Sequence, residues 1–154
     1  MTPTPHNAVL GAVLLGALAQ TAAAETVQAC DDARSNAWNI AEPWESSTRL
    51  FANGAVRLTV MDTVEPAAAA FHLLVLSPPL DELGGRQCRV VSLDGATGFA
   101  SLTLSDTAAT YDPAKGLTIS VPAKRYLPDT GEFGAATLIV TINQSTGAIS
   151  AQLE

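Results

Sequence analysis

From Thr48 onward, apolar and polar residues alternate with a period of two, which places successive side chains on opposite faces of a strand. The stretch TRLFANGAVRLTVMD holds two such runs around Asn53-Gly54, a strong hairpin signal. In its second run Val56, Leu58 and Val60 share one face, and Arg57, Thr59 and Met61 the other. FHLLVLSPP is apolar on both faces, the pattern of a central strand covered twice. A helix opening at Pro66 through Ala67–Ala70 competes for this segment, but Pro78-Pro79 cuts it short and the Leu-Val-Leu run favours the strand. QCRVVSL, FASLTLS, GLTISVPAKRY, AATLIVTINQ and AISAQL continue the series, the last two flanking Ser145-Thr146-Gly147 as a hairpin. About eight strands with no intervening helices predict an all-β, mainly antiparallel domain, either a single sandwich or a small barrel.

The N-terminal part follows other rules. NAVLGAVLLGALAQ is an apolar run that is short for a stable membrane anchor, and TAAAE after it carries the small-residue pattern of a signal-peptidase site. Residues 1–24 therefore read as a signal peptide, with cleavage between Ala24 and Glu25, although MTPTPHN before the run has no Lys or Arg. Residues 25–46 read as an N-terminal arm, because Ala33, Ala37 and Ile40 fall at helical spacing and Pro43 ends the pattern. Trp38 and Trp44 lie in this arm, and their large apolar area predicts that they pack it onto a β-domain spanning residues 47–154.

Composition narrows the class. With 154 residues, 47% hydrophobic and 15% charged, the chain suits one domain with a packed core. A net charge of -7 with scattered Lys and Arg argues against nucleic acids and anionic membranes as partners. Two cysteines in an exported chain predict one disulfide, Cys30 to Cys88. The alternative is lipidation of Cys30, but Gln28 and the polar QTAAAETVQ fit a lipoprotein box poorly. No other segment reaches transmembrane length, so the mature chain is expected in the periplasm or outside the cell, without a membrane span.

Candidate chemistry is sparse. Leu127-Pro128-Asp129-Thr130-Gly131 matches both a sortase signal and the Asp-Thr-Gly of aspartic proteases. A sortase signal needs a membrane-length tail, and an aspartic protease needs a second aspartate; neither is present, so the segment reads as a turn between strands. His72 is the one histidine after residue 24, set on a strand face with Leu74 and Leu76, where a hydrogen-bonded core role outweighs a catalytic one. The loops around Asp94, Asp112 and Asp129 offer too few carboxylates each for calcium. Asn143 opens a glycosylation sequon that matters only in a eukaryotic secretory route. No catalytic residue, metal set or cofactor motif stands out. The expected role is a non-catalytic binding or structural protein of the envelope, contacting a protein or a small molecule. The alternative is a carrier of a small apolar ligand in a barrel cavity.

Overall fold

A computed structural model describes residues 25–154. Ten strands form two antiparallel sheets of five. In the first, β1 (Thr26–Ala29), β5 (Arg86–Ser92), β4 (Phe71–Leu80), β3 (Val56–Asp62) and β2 (Thr48–Phe51) lie side by side in that order. In the second, β10 (Ile149–Leu153), β9 (Glu132–Ile142), β8 (Gly116–Leu127) and β6 (Ser101–Leu102) follow one another, and β7 (Ala108–Asp112) also pairs with β8. The sheets do not close into a barrel, so of the two architectures expected from sequence the sandwich is the one adopted. That removes the enclosed barrel lumen on which the carrier alternative depended.

The period-two pattern explains the core. Val56, Leu58 and Val60 of β3 point inward with Leu73 and Val75 of β4 and Val91 of β5. They meet Leu117, Ile119 and Val121 of β8 and Leu138, Val140 and Ile142 of β9. Each large aliphatic side chain so buried contributes about 1.5–3 kcal/mol. β4 is the middle strand of its sheet, which accounts for its apolar residues on both faces. Its second face carries His72 and Leu74, and the N-terminal arm crosses that face: Arg34 reaches Ser92 of β5, and farther on Ile40 bridges Met61 and Ala41 N–H donates to Val60 O at 2.9 Å along the far edge of β3. Val90, Met61 and His72 are buried there, outside the core between the sheets.

Three local readings are corrected or sharpened. The arm opens with β1, a strand paired to β5, and continues as two one-turn 3-10 helices at Ala33–Ser35 and Ala37–Asn39. A single α-helical turn follows at Trp44–Ser47. FASLTLS narrows to the two-residue β6, with Leu104 buried from the loop beyond it. β7 escaped the pattern because all five of its residues are exposed, so no apolar alternation marks it. It exists through its turn into β8, where Gly116 adopts φ +104 and a side chain would meet Ile142 O at 2.3 Å.

Leu127–Gly131 joins β8 to β9 as a tight hairpin. Thr130 and Gly131 N–H both donate to Leu127 O, at 3.2 and 2.8 Å, and Gly131 takes φ +73. Asp129 is exposed at this turn. Asp129→Asn is expected to change the unfolding free energy by less than about 1 kcal/mol, measured by urea denaturation. A larger loss would mean that the carboxylate holds the hairpin.

Candidate binding site

β-Pairing puts three residues in a row on the outer face of the first sheet. Met61 stands opposite His72, and the β4–β5 register that pairs Leu73 with Val91 makes Ser92 the neighbour of His72. His72 Nδ1 lies 2.9 Å from Ser92 Oγ. Both residues are buried, His72 at 1% exposure and Ser92 at none.

Covalent chemistry and one arginine fasten the arm over this row. Cys30 and Cys88 are disulfide-bonded with Cα atoms 5.5 Å apart, one step beyond the Ala29–Arg89 pair of the β1–β5 ladder. The chain then turns back, and Asp32 caps the first 3-10 turn by accepting Arg34 N–H at 2.9 Å. The Arg34 guanidinium reaches down to the sheet. Its Nη1 donates to Ser92 Oγ at 3.0 Å and Gly95 O at 2.7 Å, while Nη2 donates to Gln28 Oε1 at 2.6 Å and pairs with the Asp32 carboxylate. Nε also donates to Asp32 Oδ2, at 2.9 Å. All five guanidinium N–H groups therefore have protein acceptors.

This network sets the charge states. Ser92 Oγ accepts from Arg34 and shares a second hydrogen bond with His72 Nδ1, whose direction follows the imidazole tautomer. Burial, with a smaller push from the Arg34 charge, lowers the His72 pKa from 6.5 to about 4, so the ring is neutral at pH 7. The hydrogen bond from the Arg34 side chain holds the Asp32 carboxyl below its ordinary pKa. Arg34→Ala would leave Ser92, Gln28 and Gly95 O short of a donor inside the structure. It is expected to cost about 2 kcal/mol in chemical denaturation, as loss of hydrogen bonds to a charged group typically does. A change under about 0.5 kcal/mol would show that the network contributes little.

Between the arm and the β3–β4 loop lies an open cleft of about 480 Å3 with His72 at its floor. Asp32, Arg34, Trp38 and Asn39 form the arm side, and Thr63 and Glu65 the loop side. Trp38 is 79% exposed and Trp44 59%, so the packing role expected for the two tryptophans is not the one they play. Ile40, Arg34 and the disulfide hold the arm instead. The loop opposite contains Val64 at φ +68 and 70% exposed, with its N–H on Asp62 Oδ1 at 2.8 Å. A β-branched residue in this left-handed region carries backbone strain of order 1–3 kcal/mol, which folds tolerate mainly near functional surfaces.

The other residues singled out from the sequence are not drawn into the cleft. Asp112 caps its own turn by accepting Ala114 N–H at 2.7 Å, and Asp94 exchanges backbone hydrogen bonds with Thr97. Among the described residues no three His, Cys, Asp or Glu side chains gather closely enough to hold a metal ion. Ala24 lies outside the described residues. Glu25 is buried at the start of β1 with Oε2 unpartnered, and burial raises its pKa. Among the described residues, no helix is long and apolar enough to cross a membrane. Arg34 and Ser92 were invisible as a pair in the sequence, being 58 positions apart. Only Asp32, a capping residue ahead of a helical turn, gave a local hint of where the arm folds back. No family model, curated protein or solved structure matches the chain, so its function has to be inferred from this geometry.

Proposed function

We propose that the chain is an exported domain that acts by binding, through the cleft between the arm and the β3–β4 loop. The observation that carries this is Trp38, a large aromatic ring held 79% exposed on an arm that the disulfide and Arg34 fix in place. A mobile segment would be free to turn such a ring inward, whereas a fixed, open ring beside a polar cleft is the arrangement of a contact surface. The Ser92–His72 pair does not favour catalysis. Ser92 Oγ is fully buried and accepts from Arg34, so it is neither reachable nor activated as a nucleophile. An imidazole with a pKa of about 4 is a weak base at neutral pH. Export is supported by the leader pattern ending at Ala24 and by the Cys30–Cys88 bond, which suits an oxidising compartment such as the periplasm.

Native mass spectrometry of protein purified from its own host tests both parts. The expected mass starts at Glu25 with the disulfide intact, and a bound species on the wild type is lost on Trp38→Ala. An intact Met1, a lipid on Cys30, or a bound species indifferent to Trp38→Ala would overturn the corresponding part. So would hydrolytic turnover that disappears on His72→Ala.

A further inference from the structure

Resting on the binding reading, the chemistry of the cleft narrows its occupant, and we infer that it takes a neutral polyhydroxylated ring of the saccharide class. Anions are disfavoured because Arg34 is the one cationic side chain in the lining and all of its N–H groups are engaged by the protein. Asp32 and Glu65 outweigh its charge. A wholly apolar ligand would strip water from Asp32, Asn39, Glu65 and His72 without replacing their hydrogen bonds. A cation at the floor would meet the charge of the Arg34 guanidinium.

A hydroxyl both donates and accepts, and the cleft offers both complements. Its floor presents a ring nitrogen of His72, which complements a hydroxyl in either tautomer. His72 Nδ1 is occupied by Ser92, and Glu25 Oε2 is the one unpartnered buried side-chain nitrogen or oxygen among the described residues. Nε2 is thus the ring atom that reaches the cleft. The rim presents acceptors, chiefly the exposed Glu65 carboxylate, whose Oε2 already takes Ala67 N–H at 3.1 Å while the group keeps further lone pairs. Trp38 supplies a flat apolar face for the C–H side of a sugar ring. The volume of about 480 Å3 falls in the range of small-ligand sites.

Trp44→Phe leaves Trp38 as the sole tryptophan, so its emission reports on the cleft alone. Titrations of this variant would use N-acetylglucosamine trimer, maltotriose and cellotriose, with spermidine as the cation and inorganic phosphate as the anion. The expected result is a saturable emission change with at least one trisaccharide, with Kd on the order of 1 mM, as one stacking ring and few hydrogen bonds allow. Glu65→Gln should weaken it about fivefold, and in calorimetry on the wild-type tryptophan background Trp38→Ala should abolish it. Both positions are exposed, so these variants keep the fold. No saturable response to any of the sugars, or a response to spermidine or phosphate alone, overturns the saccharide class. If a host-derived species sensitive to Trp38→Ala is present while the sugars fail, the binding reading stands and the ligand class falls. If both fail, both fall.

Discussion

Replacing Cys30 and Cys88 together by Ser is expected to lower the unfolding free energy by about 4 kcal/mol, the chain-entropy value for a loop of 58 residues. The bond joins the end of β1 to β5 at the place where the arm leaves the sheet. β1 has four residues and is an edge strand, so its ladder alone is a weak attachment. The loss should therefore fall in two places. Urea unfolding followed by circular dichroism should show the global decrease. Hydrogen exchange should show β1 and Ala33–Asn39 opening below the stability of β8 and β9. A loss under about 1 kcal/mol would mean that Arg34 and the β1 ladder hold the arm without the bond.

Acid should destabilise the protein well before its carboxylates protonate. The His72 pKa is lower in the folded protein, about 4, than its ordinary 6.5. Between these values the unfolded chain binds more protons, so stability is full above about pH 6.5 and is lost as pH falls toward 4. The loss from this one group reaches about 3 kcal/mol at pH 4. Asp32 acts in the same direction only lower down, since its depressed pKa keeps it ionised until pH falls below the ordinary carboxylate range. Glu25 acts in the opposite sense, because its raised pKa favours the folded state as it protonates. The group is isolated by difference: His72→Gln, which keeps a polar side chain at the site, should flatten the stability curve between pH 6.5 and 4. An unchanged curve would refute the assignment to His72.

Strands that bury one face were legible because burial writes an alternation into the sequence. β8 shows this in Leu117, Ile119 and Val121, which alternate with half-exposed Thr118 and Ser120. β7 buries nothing, and so wrote nothing. The arm was misjudged for a related reason. Ala33, Ala37 and Ile40 have helical spacing, but Asn36 takes extended backbone angles (φ -70, ψ 143) and splits that stretch into two separate turns. The cleft was illegible except for His72, whose buried, hydrogen-bonded setting follows from its place among Leu74 and Leu76. Arg34 and Ser92 meet only through tertiary folding, and the exposure of Trp38 inverts the usual expectation for tryptophan.

β1 and β10 belong to different sheets yet adjoin. The two ends of the described chain therefore meet, and the path through the sandwich is nearly a closed ring. A circular permutant follows from this: a short Gly-Ser bridge from Glu154 back to Glu25, with new ends cut between Asp129 and Thr130, keeps every strand pairing of both sheets. In such a chain the arm and its two tryptophans would sit in mid-sequence, with the cleft flanked by continuous polypeptide on both sides.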